Sequence, residues 1–463
     1  MLKTVSKYSR DVSRRWRRRY SWCPEAPVDP SLKVSILPNG VRIATERRRE
    51  APLACVCLTV AAGPRYETPC TNGLTHFIEH MAFKGFQSED KAALEEALIS
   101  MGAKMTVRTT RELQVFSVII PSVIATRAID KLHKIVTELD LKDCEMNQER
   151  CNIDMELEDA DADPKQVVFD YLHATAFQGT PLGQRVIGTS ENLERFDADM
   201  VSSFMCEQYQ PYKLVLSTSG DVSHDAVMSF AEPRFGGIPP QPCIEPENSI
   251  NRYTGSQVIY RDDSMPFCHV AIAFEAPGYS SSKYYFMLLM KYIIGSWDRS
   301  QGGGVNNAPF VARAAATFKS CERYHAFYTA YRDVGLFGVY FVSDRLLVDE
   351  ALFSIQEQFM HLCTMTHQGD LDRGINHVRL KLARKLDSVV KSAHDIGKQL
   401  MYTNRRKLLH DIDDSLCMFR VQNLKDLAME VFYDKCPVVA SVGPSETLPE
   451  YNRIRSGQWW FRV

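Results

Sequence analysis

The segment NGLTHFIEHMAFKG sets His76, Glu79 and His80 in an H-x-x-E-H string. On a helix, residues i and i+4 are neighbours on one face, so both imidazoles can turn a nitrogen toward one metal ion. Glu79 lies on nearly the same face, where it can take a proton from a metal-bound water without being a ligand itself. These are the parts of a zinc hydrolase site of the inverted type. A catalytic zinc needs a third protein ligand and an open fourth position. The segment QERCNIDMELEDADAD offers Glu149, Glu156, Asp159 and Asp163, spaced 7, 3 and 4 residues apart and therefore along one helical face. Glu156 is the expected ligand, and Glu149 and Asp159 are candidates for orienting ligands or tuning the water from behind.

Other chemistries find less support. GSWDRSQGGG, residues 295–304, lacks the Gly-Lys-Ser/Thr ending of a phosphate loop and reads as a loop between elements, and no G-x-S-x-G elbow marks a serine hydrolase. His224, His269, His325 and His410 stand alone and read as structural.

The motif needs a helix, and Asn72 reads as its N-cap with Gly85 as the C′ glycine about three turns on. Around it, VSILPNGVRIATE reads as strand, Asn-Gly turn and strand, and LACVCLTVAAG as a strand apolar on both faces and hence central. Helical patterns follow at 90–101, 123–139 and 145–177, ELQVFSVII is a strand, and PYKLVLSTSGDVSHD holds a strand ending at Gly220. Prolines and glycines crowd 233–246, so a linker is expected within 235–255. Beyond it the grammar repeats: strands at 256–261 and 268–275, a helix at 282–296, a strand in FGVYFVSD and helices from 349 onward. CPVVASVGPSE echoes PYKLVLSTSGDV, which points to two similar halves.

The bulk properties bound the rest. A chain of 463 residues exceeds one ordinary core, and a net charge of −2 gives no footprint for nucleic acid. Thirteen cysteines are scattered singly without a C-x-x-C pair; Cys55 and Cys57 share a strand face, and the set reads as mostly reduced, buried thiols. No apolar run reaches the roughly eighteen residues of a membrane span; YYFMLLMKYIIGSW is interrupted by Lys291. The first twenty residues hold Arg10, Arg14, Arg15, Arg17, Arg18 and Arg19 against the single acid Asp11, the composition of a mitochondrial transit peptide.

THFIEHMAFKG, VVFDYLHATAFQGTPLG, RYTGSQVIYRDDSMP, GSWDRSQGGG and the terminal YNRIRSGQWWFRV resemble the pitrilysin-type metallopeptidase family of mitochondrial processing peptidase β subunits and bc1 core protein 1, the ending being closer to the latter. The resemblance implies an α+β fold of two related α/β domains, each a mixed sheet with flanking helices joined by a linker. The boundaries expected are a leader at 1–30 and domains at 31–238 and 239–463. In this family a glutamate 76 residues after the second histidine completes the zinc site, and here that position is Glu156. The resemblance further implies cleavage of basic presequence peptides and an α-type processing peptidase or core protein 2 subunit as partner. It also implies, for core proteins, a place among the bc1 complex subunits on the matrix side of the inner membrane. Three positions depart from the peptidase pattern: the substrate-holding Asn-Ala-Tyr edge is Thr106, Val107 and Arg108; of the paired acids for substrate arginine, Asp170 is kept but the other is Gln166; and Asp159 shortens a glutamate. These changes raise the alternative of a catalytically weak or inactive core subunit that serves complex assembly.

Overall fold

Residues 32–239 and 251–459 are described by a computed structural model; the leader, the middle of the linker and the last four residues lie outside the described residues. In the first half, β1 (Leu32–Ile36), β2 (Arg42–Arg47) and β3 (Leu53–Val60) precede a two-residue hairpin of β4 (Gly85–Phe86) and β5 (Glu89–Asp90). Then come β6 (Lys104–Thr109), β7 (Gln114–Pro121) and β8 (Leu214–Gly220). The second half contributes β9 (Gln257–Arg261), β10 (Cys268–Pro277), β11 (Ser296–Asp298), β12 (Arg323–Ala330), β13 (Val334–Ser343) and β14 (Val438–Gly443).

Two six-stranded sheets result, ordered β1-β2-β8-β3-β7-β6 and β11-β12-β13-β10-β14-β9. The run β2-β8-β3-β7-β6 matches β9-β14-β10-β13-β12 strand for strand. In each run the first pair is parallel and the others antiparallel. The sequence echo falls on equivalent strands, β8 and β14, which end on Gly220 and Gly443 with φ of 145° and 110°. The expected central strand is β3, between β8 and β7 and buried on both faces.

Alternation along the strands gives each sheet two apolar faces. In the first sheet, Ile43, Val56, Leu58 and Val60 pack on the half's own helices through Leu74, Phe77, Ile78 and Met81. The opposite face, with Ala44, Val215, Cys55 and Cys57, is covered by Ala393, Ile396 and Leu400 of a helix from the second half, Val389–Thr403. The exchange is mutual. Ala271, Ala273, Phe327, Tyr340 and Val442 of the second sheet bury Val168, Leu172 and Ala176 of the first half's helix Pro164–Ala176.

The bridging helix Val389–Thr403 is seated closely enough that a Cβ on Gly397 would collide with Thr59 Oγ1. Ser217 Oγ donates to Ala393 O at 2.9 Å, and Arg42 Nη1 to Leu400 O at 2.8 Å. Below it the buried Glu46 of β2 accepts from Ser392 Oγ at 3.0 Å and pairs with Arg48 at 2.9 Å and Arg406 at 3.6 Å. Arg406 also pairs with the buried Asp395, which Lys385 reaches at 2.5 Å.

Several sequence expectations need correction. The helical pattern at 145–177 is two helices, Asp143–Ala162 and Pro164–Ala176, because a residue before proline is pushed out of the helical region. Asp163 sits there extended and caps the second helix through Lys165 N at 3.0 Å. The motif helix is Leu74–Met81, shorter than expected, and Gly85 opens β4 with φ 117° instead of capping it. β6 is missing from the strands expected by periodicity, although Met105 and Val107 alternate with Lys104, Thr106 and Arg108 and face the core. Of the eleven described cysteines none is in a disulfide, but six are exposed, so "mostly buried" fails.

Overpacking a closed helix–sheet contact costs about 1–3 kcal/mol. Gly397→Ala is therefore expected to lower the unfolding free energy measured by urea titration by an amount in that range; an unchanged value would show that the bridging helix is not seated on β3 and β8.

Candidate metal centre

The motif helix starts at a backbone trap. Gly73 is its N-cap with φ 100°, and a Cβ there would lie 2.6 Å from Ile187 O. Asn72 does not cap the helix. The buried carboxylate of Glu67 does, accepting from Gly73 N at 2.9 Å, Thr75 N at 2.7 Å and Thr75 Oγ1 at 2.5 Å. Asn72 Nδ2 is a fourth donor at 3.0 Å. Burial pushes the Glu67 carboxyl above its usual range, and the four donors hold that rise back. The partial positive charge of a helix N-terminus favours an acid at this place.

The helix is amphipathic, burying Leu74, Phe77, Ile78 and Met81 while His76 and His80 face the long acidic helix Asp143–Ala162 and Glu79 meets Thr109 of β6. His76 Nε2 lies 3.2 Å and His80 Nε2 3.4 Å from one oxygen, Oε2 of Glu156. One ligand atom from each of the three falls within 4.8 Å of the others, so the set can close on one ion, and Glu156 is half-exposed on the solvent side. Both rings turn Nδ1 away from this point. His80 Nδ1 is 2.9 Å from Glu149 Oε2, and His76 Nδ1 is 3.8 Å from Glu79 Oε2. Carboxylates on the distal nitrogens fix ring orientation and make the inner nitrogens better donors.

Glu149 is itself buried and held by Lys84 and by Asn152 Nδ2 at 2.7 Å. Burial alone would raise its pKa, but Lys84 and His80 bring it below the ordinary value. Burial would likewise lower His76, yet Glu79 and Glu156 outweigh it and raise the pKa, so protons compete with any ion for this ring. Glu79, against the tendency of burial, is held below its usual range by His76 and by the N–H of Thr109 at 2.9 Å. Asp159 is exposed and makes no hydrogen bond or ion pair among the described residues, so it does not orient the cluster as expected.

Thr109 ends β6, the edge strand of its sheet among the described residues, so beyond the Thr109 N–H that Glu79 takes, its outer backbone groups meet no further strand there. Such an edge can accept an extended peptide as an added strand. Arg108 stands exposed on it. Gln166 is exposed on the helix Pro164–Ala176, and Asp170 is already occupied: Arg111 Nη2 reaches Oδ1 at 2.8 Å and Arg185 Nε reaches Oδ2 at 3.1 Å. Sequence reasoning found the three motif residues, Glu149 and Glu156 but missed Glu67, Lys84, Arg111 and Arg185. Only an acid shortly before a helix start signalled Glu67. His224 and His269 are structural, bonded to Thr45 and Tyr340 at 3.0 and 2.8 Å, with pKa values lowered chiefly by burial.

The pattern described as "Insulinase (Peptidase family M16)" matches residues 42–190, which contain the whole cluster, and that described as "Peptidase M16 inactive domain" matches residues 195–378. The chain belongs to peptidase family M16. It is 37% identical over 435 residues to human "Cytochrome b-c1 complex subunit 1, mitochondrial", covering 94% of this chain and 90% of the relative. It is 34% identical to bovine "Mitochondrial-processing peptidase subunit beta", with 93% and 88% covered. Among solved structures, a chain of Candida albicans complex III aligns with a TM-score of 0.83 at 22% identity, over 92% of this chain and 99% of that one. A Helicobacter pylori protease aligns at 0.79 and 16% identity, over 90% and 100%. These last two show the fold alone. No helix among the described residues is long and apolar enough to cross a membrane.

Removing one acceptor from several buried donors costs about 1–3 kcal/mol per orphaned group. Glu67→Ala is expected to destabilise the chain by about 3 kcal/mol or more on the same basis and to speed amide hydrogen exchange within Leu74–Met81 selectively. Exchange there no faster than in the wild type would show that the cap contributes nothing.

Proposed function

We propose that this M16 chain is a mitochondrial subunit of the processing-peptidase-β and core-protein-1 type that retains a zinc metalloendopeptidase centre acting on N-terminal targeting presequences. In this reading His76, His80 and Glu156 hold zinc, and an α-type processing peptidase or core protein 2 subunit completes the cleft on the matrix side of the inner membrane. The observation that carries it is the convergence of two imidazole nitrogens and one carboxylate oxygen on a single point, with Glu79 beside it. The donor set suits zinc, which takes nitrogen and oxygen ligands and leaves a fourth position for water.

When bound, zinc supplies Lewis acidity toward a scissile carbonyl and a water that ionises near neutral pH. The chain's residues supply the rest. Glu79, ionised and fixed by Thr109 N–H, is placed to accept a proton and later return it to the leaving amine. Glu149 and Lys84 hold His80 in the tautomer that presents Nε2. The free edge of β6 aligns an extended backbone next to Glu79. A division into domains at 31–238 and 239–463 is supported by the two sheets, whose strands lie on either side of it, although the second matched pattern begins at residue 195.

One observation favours a second reading, a core subunit of the bc1 complex with weak or no peptidase activity. Asp170 is neutralised within the chain by Arg111 and Arg185, Gln166 carries no charge, and Arg108 adds a positive charge to the edge where a basic presequence would lie. Like charges facing each other slow encounter and weaken binding.

Two measurements separate the readings. Purified with its partner, the chain is expected to bind one zinc through the motif and to cleave a presequence peptide, with Glu79→Gln lowering kcat by about a hundredfold or more; zinc without Glu79-dependent cleavage leaves the scaffold reading standing. The double variant Arg108→Ala, Gln166→Glu is expected to lower KM for arginine-containing presequences several-fold while kcat changes little. An unchanged KM would remove these two positions from the substrate path.

A further inference from the structure

A second cluster of metal-ligating side chains lies on the opposite face of the first sheet, under the bridging helix. Cys55 and Cys57 alternate along β3 onto that face, both fully buried, with their sulfurs 3.7 Å apart. His394 comes down onto them from the helix Val389–Thr403, and one of its nitrogens lies within 4.8 Å of both sulfurs. His394 Nε2 is 3.2 Å from Ser117 Oγ, a hydroxyl on the neighbouring strand β7 that also meets Thr106 Oγ1 at 2.9 Å. From these positions we infer that Cys55, Cys57 and His394 form a structural binding site for a thiophilic divalent cation, with zinc as the physiological fit, that fastens the second half's helix to the first half's sheet.

The sulfur separation suits tetrahedral coordination. Two zinc–sulfur bonds of about 2.3 Å at a tetrahedral angle place their sulfurs about 3.8 Å apart, close to the separation found. The helix side of the cluster is only half-buried through His394, which leaves room for Ser117 Oγ or a water as the fourth ligand. The charge balance also fits: binding one divalent cation releases the two thiol protons and leaves a neutral metal–dithiolate unit, the form best tolerated in an apolar place. Val115, Ile119, Val389 and Val390 make up the apolar wall around it.

Cobalt(II) tests this, because only thiolate ligation gives a near-ultraviolet sulfur-to-cobalt charge-transfer band, and the His76–His80–Glu156 set contains no sulfur. In the reduced full-length chain carrying His76→Gln and His80→Gln, cobalt is expected to raise that band with one equivalent bound. Zinc should displace it and raise Tm. Cys57→Ser is expected to abolish the band, and His394→Gln, which leaves both thiols in place and guards against a misfolded cysteine variant, to weaken cobalt affinity at least tenfold. Absence of the band, with Cys55 and Cys57 equally alkylated with and without zinc, would overturn the proposal. So would a Cys55–Cys57 disulfide, seen as a mass loss of two hydrogens, in protein that binds no cobalt.

Discussion

Each sheet has two apolar faces but enough helices of its own for only one of them. An uncovered face of Ala44, Val215, Cys55 and Cys57, or of Ala271, Phe327 and Val442, would sit in water, and the hydrophobic effect penalises that in proportion to area, at about 25 cal/mol per Å². The chain resolves this by exchange, with Val389–Thr403 lying on the first sheet and Pro164–Ala176 on the second. The clustering of His76, His80 and Glu156 depends on that arrangement. Pro164–Ala176 continues directly from the acidic helix that carries Glu149 and Glu156, so docking it on the second sheet fixes the angle at which those acids meet the motif helix.

The polar contacts between the halves follow the same logic. Glu46, Asp395 and Arg406 are buried where the bridging helix leaves the sheet, and each has a partner from the other half or from a neighbouring turn. Glu112 does similar work in the turn between β6 and β7, accepting from Tyr402 Oη at 2.6 Å and from Arg332 N at 3.0 Å while pairing with Arg65. Removing one member of such a set leaves a buried charge uncompensated, which is far more costly than the net contribution of the intact pair.

How far the sequence revealed this depended on the range of each interaction. His76, Glu79, His80 and the acids at Glu149 and Glu156 announce themselves by helical spacing, and β3, β8, β10 and β14 by short, largely apolar runs, because these signals are local. The break at Asp163 is equally local, a proline after a capping acid, but the long helical period on either side masks it. Glu67 was out of reach because its donors are set by how the chain folds back before the helix. The neutralisation of Asp170 could not be seen because Arg111 and Arg185 approach from two different loops. Family resemblance identified Asp170 as an acid for substrate arginine; only coordinates show that its two oxygens are already taken. β6 shows another limit: its alternation rests on two apolar residues, Met105 and Val107, too short a pattern to stand out.

The helix exchange also has a bearing on the order in which the protein is made. Synthesis completes the first sheet at Gly220, yet the helix that covers its second face is not made until residues 389–403. Through that interval an apolar face and the free edge of β6 are both exposed on a nascent or translocating chain, the conditions under which strands pair with the wrong neighbour. The first half thus cannot bury its second face until a segment from the far end of the chain arrives.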